Sequence, residues 1–255
     1  MTIAIIPARI ASTRFPGKPM APIHGIPMIG HCFYRSKMSS SLDAVYIATC
    51  DEEIRSYANS IGADCIMTSS THERASDRIA EAMLTIENEL GVQHEIIVLV
   101  QGDEPMLRPE MIDLTVKALK DDPSLFVVNG MAEIENLKEF KDPNEIKVVF
   151  DRNMDAIYFS REPIPSDSKW NGQLPMWKQV CIIPFRRNYL LEFNNTPQTA
   201  LEKVESIDML RIIENGGTVR MVKMPSHTVS VDTPEDLDLV SRLMENDPLI
   251  DRYIL

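Results

Sequence analysis

Apolar positions along this chain alternate between two rhythms. Residues 3–6 form a continuous apolar run, 95–100 does so after its opening Glu95, and 44–49 and 64–67 are further β-type runs. Continuous runs of this length suit strands buried on both faces. Between them lie stretches with helical spacing. One runs from Pro27 to about Met38 with proline at its first turn, and another over 52–61 stops at Gly62. A third over 75–90 places Ile79, Met83 and Ile86 on one face, a fourth covers 108–119, and 125–128 reads as another strand. This alternation predicts an α/β fold, a mainly parallel sheet with helices on both sides. In such sheets ligands bind beyond the carboxyl ends of the strands. The segments after residues 8, 49 and 100 are therefore expected to gather on one edge.

The rhythm changes from about residue 142. Residues 147–150, 156–159 and 178–184 read as strands, and 166–173 as a polar loop. A helix over 200–215, a strand over 219–222 and a last helix follow, with Thr233 as N-cap and Pro234 at the first helical position. We expect one domain over 1–255 with an embedded subdomain at about 142–200, a candidate dimer contact.

Composition narrows the function. The chain has 255 residues, 44% apolar and 25% charged, with a net charge of −12. That balance argues against a nucleic-acid-binding surface, though a local basic pocket for a small anion remains compatible with it. No apolar run approaches the roughly 18 residues of a membrane span, and no signal-peptide pattern opens the chain. Cys32, Cys50, Cys65 and Cys181 are scattered without C-x-x-C spacing. Reduced thiols in a cytoplasm are expected, and a zinc site is not. The dispersed methionines read as core fillers.

The chemistry concentrates after the first strand. Pro7 to Pro19 delivers Arg9, Arg14 and Lys18 together with Ser12, Thr13 and Gly17. Cations, hydroxyls and a close backbone approach suit a polyphosphate of roughly −4 charge. The segment is neither a Walker A loop, since Pro19 follows Gly17-Lys18, nor a dinucleotide fingerprint. Asp103 follows the 95–100 strand and Asp232 follows another apolar stretch. Each could simply cap a helix. Together they suit Mg²⁺, which takes one or two carboxylates plus substrate phosphate. The polar stretch from His72 to Arg78 leads into a helix and offers Ser76 and Arg78 to a base or phosphate. His72 itself reads as structural. Arg161 follows a strand and is placed to clamp an anion bidentately.

These pieces resemble the nucleotide-sugar cytidylyltransferases, most closely the 3-deoxy-manno-octulosonate (Kdo) cytidylyltransferases, also called CMP-Kdo synthetases. The similarity covers nearly the whole chain: Pro7 to Pro19, Met67-Thr68, Ser76-Asp77-Arg78, Val100 to Pro105, Lys147-Val148-Val149, Tyr158-Phe159-Ser160-Arg161, Leu201-Glu202 with Leu210-Arg211, and Val231 to Leu237. The resemblance implies a Rossmann-like fold of the nucleotide-diphospho-sugar transferase type and a typical homodimer. It implies transfer of CMP from CTP to a 2-keto-3-deoxy sugar acid, with Mg²⁺ at Asp103 and Asp232. Arg9, Ser12, Arg14 and Lys18 would hold the triphosphate, and Arg74, Ala75, Ser76, Arg78 and Gln101 the rest of the nucleotide. Arg9, Lys18, Asp103 and Asp232 would carry catalysis. Arg161, Gln179, Glu205, Asp208 and Met209 would face the sugar acid.

The chain departs from the family pattern at several of these positions. Gln179 stands where the family has a sugar-facing His, and Asp208-Met209 where it has Glu-Gln. Ala75-Ser76 replaces Gly-Thr, and Cys50 replaces an Asp. A methionine cannot replace the hydrogen bonds of a glutamine. The acceptor is therefore open between Kdo and a variant such as 8-amino-Kdo or another sugar acid. A non-catalytic nucleotide-binding protein is the reading from a different class. It would need loss of a phosphate cation or a metal carboxylate, and all are present.

Overall fold

The computed structural model describes residues 1–11, 14–169, 172–226 and 228–253. The chain forms two compact units, Met1–Asp113 with Thr228–Leu255, and Leu114–His227. No helix of the described residues is long and apolar enough to cross a membrane.

The first unit follows the alternation closely. It contains β1 (Thr2–Ala8), the short strands β2 (Pro22–Ile23) and β3 (Ile26–Pro27), α1 (Met28–Lys37), β4 (Ala44–Thr49), α2 (Glu52–Ser60), β5 (Asp64–Met67), α3 (Ala75–Leu90) and β6 (Ile96–Val100). α4 (Pro109–Asp121) begins in this unit. The four longer strands lie in the order β6-β1-β4-β5, all parallel. Every residue of β1 and β6 is buried, which explains their unbroken apolar runs. The C-terminal helix Pro234–Met244 opens on a capping box: Thr233 Oγ1 accepts the Asp236 N–H, and the Asp236 carboxylate accepts the Thr233 N–H. Val240 and Met244 of this helix join Ile23, Met28, Val231 and Ile250 in one buried cluster, with Phe15 packed on it. The same apolar patch thus lies under the residue before Asp232 and under the loop that carries Lys18.

The second unit is built differently. It contains β7 (Val128–Glu133), α5 (Leu137–Phe140), β8 (Lys147–Phe150), β9 (Ala156–Ser160), β10 (Trp177–Val180), β11 (Ile182–Arg186), α6 (Arg187–Asn195), α7 (Ala200–Glu205), α8 (Met209–Glu214) and β12 (Arg220–Lys223). The helix at Pro234–Met244 is then α9. A sheet ordered β12-β7-β10-β8-β9 is antiparallel except where β12 joins β7.

Several local expectations shift here. The strand expected at 125–128 runs over Val128–Glu133 instead. Asn129 and Gly130 look like breakers but serve the strand. Asn129 is fully buried and donates to Gly130 O and Val180 O, while a Cβ at Gly130 would lie 2.9 Å from Met224 and 3.1 Å from Val180 O. The single strand expected over 178–184 divides at Cys181 into β10 and β11. The helix expected over 200–215 is two helices, broken at Ser206, whose φ of 55° is left-handed. Apolar periodicity continues through that break, so it was hidden from pattern reading. α6 and α5 carried no clear pattern and were missed.

Candidate active site

The loop after β1 is shaped by its own backbone. Gly17 adopts φ 75°, its N–H reaches Ile10 O at 3.1 Å, and Met20 N–H reaches Gly17 O at 2.9 Å. A left-handed φ at the close of such a loop favours glycine. Lys18 then begins a short 3-10 turn (Lys18–Met20). The strand-end loop after β6 makes a second close approach. A Cβ at Gly102 would lie 3.0 Å from both Pro7 O and Ile29 Cδ1, so the absence of a side chain lets Gln101-Gly102-Asp103 pass against β1.

These loops enclose a cavity of about 620 Å³ within the first unit. Arg9, Arg14 and Lys18 line it from the first loop, and Gln101, Gly102 and Asp103 from the second. His72, Glu73, Arg74, Ala75 and Arg78 line it from the approach to α3 and its first turn, and Asp232 from the segment before α9. Of the three strand-end segments expected on one edge, those after residues 8 and 100 line the cavity, and the one after residue 49 reaches the first loop through Asp51 and Ile10 without lining it. Ser76 is buried at the start of α3 and does not line the cavity. Ser12 falls outside the described residues.

At the centre, Lys18 Nζ donates to Asp103 Oδ2 at 2.7 Å, Asp232 Oδ1 at 3.2 Å and Val231 O at 2.8 Å. Arg14 Nη2 lies 3.0 Å from Asp232 Oδ1. Burial alone would lower the pKa of Lys18, but the charges of Asp103 and Asp232 outweigh it and raise it, so the ammonium stays charged. The backbone places the two carboxylates beside each other: Val231 N–H donates to Asp103 O at 2.9 Å, and Asp232 N–H to Asp236 Oδ2 at 3.0 Å. Next to them, Thr228 Oγ1 donates to the buried Glu104 carboxylate at 2.9 Å.

Arg78 is 3% exposed. Its Nη1 donates to Thr68 Oγ1 and to Ser69 O, while its Nη2 is buried without a hydrogen-bond partner. A guanidinium nitrogen buried without a partner is costly.

Two features escaped the sequence reading. The Asp51 carboxylate accepts the Ile10 N–H at 2.8 Å and so ties the end of β4 to the start of the phosphate-type loop. His72 lines the cavity and pairs with Glu81, which also accepts the Ser69 N–H at 2.9 Å. The carboxylate nearly two helical turns into α3, Glu81, was the available signal for the second.

The expected sugar-facing residues lie in the second unit. Glu205 accepts from Ser160 Oγ at 2.8 Å, Arg161 N–H at 2.8 Å and Tyr158 Oη at 3.2 Å. Burial would raise its pKa, but these bonds and the Arg161 charge hold it below the usual carboxylate range. The Arg161 guanidinium donates to Glu205 O at 2.7 Å and Pro143 O at 2.9 Å. Gln179 Nε2 donates to Asn129 Oδ1 at 2.6 Å. Asp208 is the N-cap residue of α8, and Met209 is buried at 2% exposure.

Cavity chemistry suits a magnesium nucleotide. Among the described residues no group of three or more His, Cys, Asp or Glu could hold a metal. Two converging carboxylates fit Mg²⁺, whose remaining positions phosphate oxygens and water can fill.

Comparison with known proteins agrees with this chemistry. The family profile described as Cytidylyltransferase matches residues 3–238. A 3-deoxy-manno-octulosonate cytidylyltransferase from Pelobacter propionicus is 43% identical over 244 residues, 92% of this chain and 93% of that protein. One from Geobacter metallireducens is 42% identical, over 93% of this chain and 95% of that protein. The solved structure of a CMP:2-keto-3-deoxy-manno-octonic acid synthetase complexed with CTP superposes with a TM-score of 0.86 at 34% identity, covering 95% of this chain and 98% of that one. By similarity over nearly its whole length, the chain belongs to the cytidylyltransferase family, in the branch of the 3-deoxy-manno-octulosonate cytidylyltransferases.

Proposed function

We propose that this chain activates Kdo by transferring CMP from CTP to its anomeric hydroxyl. The observation that carries the reading is the convergence of three cations from one loop, two carboxylates and the Arg78 side chain on one cavity. The anomeric oxygen forms a bond to the α-phosphorus, the bond to the bridging oxygen breaks, and pyrophosphate leaves with the electron pair. The hydroxyl proton passes to solvent.

Arg9, Arg14, Lys18 and Ser12 hold the triphosphate, and Lys18 offsets charge at the α and β phosphates as the bond breaks. Arg74, Ala75, Arg78 and Gln101, which line the cavity, hold the cytidine, and the buried Ser76 is left out of that set. Their amides and side chains supply the donors and acceptors that distinguish a base. Asp103 and Asp232 hold Mg²⁺. When bound, Mg²⁺ supplies Lewis-acid neutralisation of the phosphates. Arg161, Gln179, Glu205, Asp208 and Met209 are assigned to the sugar acid by resemblance. We assign the chain to a reducing cytoplasm, which the scattered cysteines without C-x-x-C spacing suit. The exposed Val204 on α7 and Ile157 on the edge strand β9 support a homodimer, which light scattering tests.

A changed acceptor is the second reading. Asn129 Nδ2 donates to two backbone carbonyls, so its Oδ1 accepts from Gln179 Nε2, and Gln179 keeps only Oε1 as a further acceptor. That atom suits a hydroxyl or ammonium donor on the sugar. Pyrophosphate release with CTP and Mg²⁺ against Kdo, 8-amino-Kdo, a sialic acid and no acceptor decides. Strong turnover of Kdo is expected. Turnover of another acid alone moves the specificity, and no release with any of them overturns the reading.

A further inference from the structure

The two carboxylates suited to a divalent cation are bridged by a cation of the chain itself. Lys18 Nζ contacts Asp103 Oδ2, Asp232 Oδ1 and Val231 O at 2.7, 3.2 and 2.8 Å. An ammonium has three hydrogens and no acceptor. All three are spent, so Lys18 cannot donate to a phosphate oxygen while it keeps these bonds. The triphosphate role and the observed contacts therefore exclude each other, and Lys18 must exchange one set for the other. The Asp232 carboxylate keeps a second cation, Arg14, at 3.0 Å during such an exchange.

We infer that Lys18 is the placeholder of the metal site: its ammonium holds Asp103 and Asp232 together in the nucleotide-free protein, and the entering divalent cation displaces it toward the triphosphate. This rests on the two-carboxylate metal reading above. The electrostatics favour the exchange in one direction only. Two carboxylates aimed at one point repel unless a cation lies between them. A dication satisfies them better than an ammonium, but in the free protein it must first break three hydrogen bonds. When nucleotide is present, the released ammonium finds phosphate oxygens, so metal and nucleotide enter cooperatively.

Mn²⁺ is the probe, measured without nucleotide by the paramagnetic resonance of the free ion. The proteins are wild type, Lys18→Met, Lys18→Gln, Asp103→Asn and Lys18→Met/Asp103→Asn, each checked by thermal melting. Removing the ammonium should tighten Mn²⁺ binding on the order of tenfold or more, and Asp103→Asn should abolish the gain. Mn²⁺ should also raise the melting temperature of both Lys18 variants more than that of wild type. Equal affinity in wild type and the Lys18 variants, lost on Asp103→Asn, overturns the placeholder and leaves the metal reading standing. Binding indifferent to Asp103→Asn, or no binding by folded Lys18 variants, overturns both.

Discussion

The Asp51 carboxylate accepts the backbone N–H of Ile10 at 2.8 Å, across 41 residues of sequence. Asp51 is the N-cap residue of α2 yet makes no side-chain cap there, and its own N–H donates to Thr49 Oγ1 at 3.1 Å. The bond sets the direction in which the chain leaves β1, one residue after Arg9. It links the end of one strand to the loop that carries all three cations.

Asp51→Ala should lower kcat/KM for CTP by about tenfold, because misplacing a binding loop by a fraction of an ångström is felt in the reaction. The lost charge-assisted hydrogen bond should cost about 2 kcal/mol. Asp51→Asn, which can still accept from Ile10, should recover most of both. Steady-state kinetics and urea melts of the two variants check this.

Arg78 makes its own prediction through its divided guanidinium. Arg78→Lys keeps a charge but loses the planar fork, so KM for CTP should rise by about tenfold or more while the fold persists. If Arg78 served only to pin Thr68 and Ser69, the melting temperature would fall and KM would stay unchanged. Initial rates across a CTP series separate the two outcomes.

Glu202 and Arg211 form a bidentate pair at 2.8 and 2.6 Å, with side chains 0% and 3% exposed. Arg211 Nη1 also donates to Phe193 O at 2.8 Å, and its guanidinium lies over the Phe193 ring. Arg211→Met strands a buried carboxylate and should cost about 3–5 kcal/mol. Glu202→Leu combined with Arg211→Met should recover part of that loss, since no lone charge remains. Denaturant titrations of the single and double variants test the coupling.

His31 gives a pH dependence. Its Nε2 meets Ile23 O and its Nδ1 meets Tyr253 Oη, both at 2.8 Å, while Arg35 Nε donates to Tyr253 Oη at 3.0 Å. Nε2–H therefore donates to the carbonyl, and Nδ1 accepts from the tyrosine. Burial, with the Arg35 charge beside it, lowers the His31 pKa from 6.5 to about 4. Above the unfolded value near 6.5 the two states bind equal protons. Between about 6.5 and 4 the unfolded chain binds more, so stability falls as pH falls, by at most about 3 kcal/mol. Urea melts at pH 7, 5.5 and 4.5 should show this slope, and His31→Gln should flatten it.

Much of the first unit was legible because its strands are buried on both faces and its helices show one apolar face each. The 44–49 and 64–67 strands and the 75–90 helix fall at those bounds in the structure. In the second unit the signal weakened. Asn129 and Gly130 read as breakers until their burial against β10 is seen, and Ser206 gave no sign of its left-handed backbone. The cations and carboxylates of the candidate site stood out by residue type and by position after apolar runs. The anchors that hold them, Asp51 to Ile10 and His72 to Glu81, join residues distant or unremarked in sequence.

By itself the sequence determined the alternation of elements, the edge on which the loops gather, and the cations and carboxylates on those loops. Those follow from periodicity and from which residues can carry charge. Only the tertiary structure decided that Lys18, Asp103 and Asp232 meet at one point, that Arg78 keeps a buried donor without a partner, and that Arg161 spends its guanidinium on backbone carbonyls. Hydrogen bonding is satisfied in three dimensions. Which donor meets which acceptor depends on how distant segments pack, and no spacing along the chain encodes that locally.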